Sequence, residues 1–193
     1  MDHVQRVAHW TLNLLQQEFK ITGRSIQESD EKIALLSGLL HDCYPVAKNS
    51  PDRSKSAEWS AARAVEWMLE FNVSEQIIHE VKTAIEDHSY SSGRKARTIY
   101  GECLQDADRL EALGALGLYR TIAVGVTMGA DLFHSADPWG KNREWDDRKY
   151  TVDHFFTKLL LLADGFNTSA GKVEANQRTK FLKDFLDQLR REI

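Results

Sequence analysis

The chain has 193 residues, 42% of them apolar and 28% charged, with 25 basic and 29 acidic side chains and a formal charge of −4. That length gives one sizeable core but is short for two, and the balance is that of a soluble globular protein, not a disordered one. The near-even charge and the lack of a dense basic run argue against a general nucleic-acid or membrane-surface footprint.

Two cysteines, Cys43 and Cys103, have neither CxxC nor paired spacing, so a disulfide framework or zinc ribbon is not expected. No apolar run reaches the roughly 20 residues of a membrane span, and Met1 is followed at once by polar residues and not by a signal peptide. A cytoplasmic protein without membrane partners is the expectation.

Helical periodicity runs through almost the whole chain. Val4, Val7, Ala8, Leu12 and Leu15 mark a first helix that ends near Lys20, before Thr22-Gly23. Ser25 with Glu28, then Ser29-Asp30, signal the start of a second, whose apolar run from Ile33 to Leu40 ends in His41-Asp42-Cys43. That run reads as a buried helix, with Gly38 allowing a close neighbour. Tyr44-Pro45 stops it and residues 49–53 form a loop. Ser56 is expected to cap a helix to about Phe71, and Ser74 another, with Ile77, Ile78, Val81, Ala84 and Ile85 on one face, to His88.

After a loop from Ser89 to Lys95, further helices are predicted at about Thr98–Ala112 and Ala115–Ala130. Four glycines punctuate this region, Gly114, Gly117, Gly125 and Gly129, at about 1 kcal/mol each where helical. Ser135–Lys149 is the longest loop, with Trp139 and Trp145. A loop of that length is usually functional or mobile. Thr151 caps Val152–Leu162, and a last amphipathic helix covers about Ala170–Arg191. Trp59, Trp67, Phe181 and Phe185 read as core. The expectation is one all-α domain over residues 1–193, a helical bundle of about seven helices. Its metal-site core would span about 1–130, with C-terminal helices at about 151–192 packing on it.

Polar residues on apolar faces carry the functional signal. A charge on a buried helix costs several kcal/mol unless it is compensated. Alone, His41-Asp42 is better read as a histidine satisfied by its neighbour in a core crevice. His3, four residues before Val7, shares the core-facing stripe of the first helix. Asp106 and Asp108 flank the apolar face of Leu104, Ala107 and Leu110, and either can face inward. Two imidazoles and two or more carboxylates on three helices suit a divalent ion with open positions. Structural zinc would usually recruit thiolates, so such a site looks catalytic.

The order His3, then His41-Asp42, then Asp108 resembles the His…His-Asp…Asp pattern of HD-domain metal-dependent phosphohydrolases. The neighbourhoods agree, in His3-Val4-Gln5-Arg6-Val7, Gly38-Leu39-Leu40-His41-Asp42 and Ala107-Asp108-Arg109-Leu110. Lys48-Asn49-Ser50-Pro51, His88-Ser89-Tyr90-Ser91, Gln105 to Gly117, and Asp153-His154-Phe155 with Lys158-Leu159-Leu160 resemble a bacterial subfamily of small HD hydrolases. The resemblance covers nearly the whole chain. Family members usually carry another helix with a further His-Asp pair before the first ligand, so either a segment precedes His3 or that end contributes less here.

The resemblance implies one divalent ion (Mn²⁺, Mg²⁺, Fe²⁺, Ni²⁺ or Co²⁺) held by His3, His41, Asp42 and Asp108, the last preferred to Asp106. It implies hydrolysis of a phosphate ester or phosphoanhydride. The expected substrate is a nucleotide, and some members of the group split triphosphates to monophosphate and pyrophosphate. Asp42 would orient the attacking water or take its proton. Lys48 would face a phosphate, Arg53 would assist it, and His88 would bind phosphate or protonate the leaving group. His154 and Lys158, one turn apart, would line the substrate end. Lys48 reads otherwise as a solvated loop lysine, Arg53 as a surface partner, His88 as a helix cap, and His154 and Lys158 as surface residues. A nucleotide-binding module without turnover and a helical adaptor are the competing readings.

Overall fold

The computed structural model describes residues 2–47, 50–89 and 93–193. These residues form eight α-helices and two 3₁₀ segments, and no β-strand occurs among them. The all-α expectation holds, with one helix more than the seven expected.

The chain divides into two compact units, Met1–Asp108 with Asn167–Gly171, and Arg109–Phe166 with Lys172–Ile193. In the first, α1 (His3–Ile21) packs on α2 (Glu28–Leu40), α2 on α4 (Glu75–Asp87), and α3 (Ser56–Glu70) on α4. The buried stripe of α1 is Val7, Ala8, Thr11, Leu14, Leu15, Glu18 and Phe19, the spacing of one helical face.

On α2 the buried residues include Ile33, Ala34, Ser37 and Gly38, whereas Leu35 and Leu39 are exposed. The helix is therefore not buried all round. Gly38 sets which face goes inward: a Cβ there would lie 2.3 Å from the Ala8 Cα. Only a glycine lets these two backbones approach so closely.

Several expected boundaries shift. The cap of α2 is Gln27, whose backbone N–H is taken by Asp30 Oδ2 at 2.8 Å. A 3₁₀ turn at Arg53–Lys55 precedes α3, so Ser56 is its first residue and not its cap. Trp67 and Phe181 are exposed and Trp59 and Phe185 are half-buried, so all four aromatics expected in the core lie at its edge.

The second unit contains α6 (Gly114–Met128), α7 (Asp153–Thr157), a 3₁₀ segment at Leu159–Gly165 and most of α8 (Ser169–Glu192). The helix expected over Val152–Leu162 breaks at Lys158, whose φ of −141° leaves helical space. Beyond it Leu159 and Leu162 are buried while Leu161 is exposed, the three-residue period of a 3₁₀ turn. The long loop before α7 is tied down. The Arg143 guanidinium grips the buried Asp153 carboxylate through both oxygens, and the ring of Trp145 stacks on Phe156 at 4.5 Å.

Candidate metal centre

His3 is the first residue of α1, and a reciprocal cap fixes that turn. Gln5 N–H donates to Asp2 Oδ1 at 3.0 Å and Asp2 N–H to Gln5 Oε1 at 3.2 Å. His41 follows the last turn of α2, with its Nδ1–H donating to the Gly38 carbonyl at 2.7 Å. That bond assigns the proton to Nδ1 and leaves Nε2 with a free lone pair. His88 repeats the arrangement at the end of α4, where Nδ1–H donates to the Ile85 carbonyl at 2.6 Å. Asp108 comes from α5 (Ile99–Leu110).

These side chains converge. His41 Nε2 lies 3.3 Å from His3 Nε2, and His3 Nε2 lies 3.6 Å from Asp108 Oδ1. Asp42 is shared, with Oδ2 at 3.7 Å from His41 Nε2 and Oδ1 at 3.7 Å from His88 Nε2. Two three-donor groups result, His3-His41-Asp108 and His41-Asp42-His88, each with its ligand atoms within 4.8 Å of one another.

Donors about 2.1 Å from a shared ion stand about 3.0–3.4 Å apart in octahedral or tetrahedral geometry. The observed spacings lie at or just above that range. Lone pairs gathered this closely repel unless a cation or proton is shared between them, so nitrogen and carboxylate donors here fit a divalent ion. His41 is fully buried, while the side chains of His3 and Asp108 are each 34% exposed and that of Asp42 is 44% exposed. Buried imidazoles of His41 and His88 under the more exposed His3, Asp42 and Asp108 leave room for water or phosphate, unlike a closed structural site.

The electrostatics separate the groups. The His88 imidazole, 3.7 Å away, is the main influence holding the Asp42 carboxyl down to about 2, against burial. Burial is the main influence that pushes His41 below the usual imidazole value, against the attraction of Asp108. For His88 burial acts downward too, but the attraction of Asp42 and the hydrogen bond to the Ile85 carbonyl outweigh it and the net shift is upward.

Asp106 has a different role. It is fully buried and accepts from Asn167 N–H at 2.9 Å and from Thr168 N–H and Oγ1–H at 2.8 Å each. With Glu18, which takes the Ala170 N–H at 2.6 Å, it satisfies the first turn of α8. Of the two aspartates left open by the sequence, Asp108 is the one brought to the histidines.

Arg53 and His154 have partners close by in sequence. Arg53 donates to the Val46 carbonyl at 2.8 Å within its own loop. His154 binds Asp147 at 3.0 Å and, like Lys158, belongs to the second unit. The two do not share a helical face, because α7 ends between them. Lys48 lies outside the described residues. What the sequence reading undervalued is His88 as a partner of the shared aspartate. The available signal was that His88, like His41, ends a helix with an apolar face.

Comparison with known proteins places this geometry. The sequence model of one family, the HD domain, matches residues 1–113, a span that holds every converging donor. The chain belongs to the HD domain family. YpgQ of Bacillus subtilis (strain 168), an uncharacterised protein, is 28% identical over 195 residues, spanning 99% of this chain and 82% of the relative. The structure of YpgQ in complex with ADP matches with a TM-score of 0.69 at 25% identity, over 99% of this chain and 85% of that one. An HD-superfamily hydrolase from Bacillus thuringiensis matches with a TM-score of 0.71 at 28% identity, over 98% of this chain and 84% of that one. Among the described residues, no single helix is long and apolar enough to cross a membrane.

Proposed function

We propose that the chain is a metal-dependent phosphohydrolase acting on phosphate esters or phosphoanhydrides, with nucleotides as substrates, including triphosphates split to monophosphate and pyrophosphate. The observation that carries this reading is the convergence of imidazole and carboxylate donors in two groups that share His41, His3-His41-Asp108 and His41-Asp42-His88. His3, His41, Asp42 and Asp108 would hold one divalent ion, Mn²⁺, Mg²⁺, Fe²⁺, Ni²⁺ or Co²⁺. Such an ion supplies Lewis acidity and neutralises phosphate charge.

The side chains account for the rest. Asp42, shared between His41 and His88, orients the attacking water. His88, on the far oxygen of Asp42, is placed to protonate the leaving oxygen or hold phosphate. Lys48, six residues beyond the pair in sequence, is assigned the phosphate charge by that position alone. The hydrolase among the matched structures supports the reaction class, and the ADP complex of YpgQ supports a nucleotide ligand.

A screen of divalent metals against phosphate esters and nucleotides, with products identified by mass, tests the reading. Turnover is expected with at least one metal, and His41→Ala and Asp108→Ala should lose both turnover and bound metal. Equal metal content in all three proteins would overturn it. Tight nucleotide binding with no product under any metal would reduce the protein to a binding module.

A further inference from the structure

Immediately after the shared aspartate, the chain places an aromatic corner whose role the metal chemistry does not explain. Tyr44 follows Asp42 by two residues, so the two Cα atoms are at most about 7 Å apart. Its position is fixed: Tyr44 N–H donates to Ser60 Oγ at 3.2 Å, and Cys43 Sγ–H to the Ser60 carbonyl at 3.3 Å. The Tyr44 ring meets that of Trp59 edge to face, centroids 5.4 Å apart and planes at 64°.

One and two turns further along α3 from Trp59 stand Arg63 and Glu66, paired at 2.9 Å. With Ala62 these four side chains line a recess of about 160 Å³. Tyr44 remains 40% exposed and Trp59 half-buried. Lys55 approaches the Trp59 ring only to 5.9 Å, at the limit of cation–π range, and is held by Asp52.

Resting on the phosphohydrolase reading, we propose that this corner is the nucleobase subsite: the base lies against Tyr44 and Trp59 while its phosphates extend to the His3-His41-Asp42-Asp108 cluster. Three physical points favour that occupant. A recess of about 160 Å³ suits a single heterocycle and leaves the rest of a nucleotide outside it. Two rings at a steep angle offer one face for stacking and one edge for contact, a mode that tolerates any base. Arg63 and Glu66 add a donor and an acceptor at the wall of the recess, the kinds of group that base edges pair with. The corner therefore selects nucleotides over base-free phosphates.

Calorimetric titration with ADP, GDP and inorganic pyrophosphate, each with Mg²⁺, tests the assignment on wild type, Trp59→Leu and Tyr44→Leu. The wild type should bind the nucleoside diphosphates at least 10-fold more tightly than pyrophosphate. Each variant should lose about 10-fold to 100-fold for ADP and GDP and less than twofold for pyrophosphate. Should Trp59→Leu fail to fold by circular dichroism, Tyr44→Leu, at an exposed position, decides alone. Unchanged nucleotide affinity in the variants, equal loss of pyrophosphate, or no preference in the wild type overturns the assignment. Base-dependent binding in a protein that hydrolyses no phosphate bond would overturn the phosphohydrolase reading and leave the subsite standing.

Discussion

Two aspartates a half-turn apart on α5 have opposite roles. Asp106 points to the start of α8, fully buried, with backbone and hydroxyl donors of Asn167 and Thr168 around it. Asp108 points to His3 and is a third exposed. On one face the carboxylate's acceptor capacity is taken up by the fold. On the other it remains available to an ion. The difference shows that whether an acidic residue's acceptor capacity is committed to the fold depends on segments some sixty residues away and not on its immediate neighbours.

The largest expected effect comes from Asp106→Ala. It strands the buried donors of Thr168 and the part-buried ones of Asn167 and should destabilise the fold by about 3–5 kcal/mol in chemical denaturation. A loss under 1 kcal/mol would place Asp106 outside the structural class. Asp108→Ala should reverse the pattern, with metal affinity falling by about 10²-fold or more while stability without metal changes by less than about 1 kcal/mol. Metal retention at wild-type level, read by elemental analysis, would break the contrast between the two faces.

Gly171→Ala probes the structural face alone, since a Cβ there would stand 2.4 Å from Asp106 Oδ2. The crowding should cost about 1–3 kcal/mol and leave metal content intact. The smallest effect is in pH. His41 is pushed below its ordinary value of 6.5, chiefly by burial. Its contribution to stability and to metal holding is thus complete above pH 6.5 and is lost as pH falls through the lowered value. Metal release followed by an indicator dye should therefore have its midpoint below 6.5, and release centred above it would contradict a buried neutral imidazole.

Much of this was readable in the sequence because it depends on local pattern. The helix stripes, Gly38 as a point of close approach, and an apolar run ending in His41-Asp42 all follow from spacing of three and four. Other features depend on distant partners. Asp106 and Asp108 could not be told apart without Asn167 and Thr168. His88 reads as a helix cap until α4 is laid against α2, which brings it to Asp42. Leu35 and Leu39 look buried by composition, yet the Gly38–Ala8 crossing turns them outward. The break at Lys158 is not legible in sequence because a run of four leucines satisfies a helix and a 3₁₀ turn equally well.

The carbonyls of Gly38 and Ile85, which receive the Nδ1 protons of His41 and His88, belong to the main chain. In many metal sites a side-chain carboxylate or amide performs this service, and a single codon change can delete it. Here no side-chain replacement removes either acceptor, so the protonation pattern of both rings is inherited with the helix ends themselves. Drift in the surrounding sequence can then alter what the site accepts without altering which nitrogen faces the cluster. Loss of that orientation requires unwinding the last turn of α2 or α4.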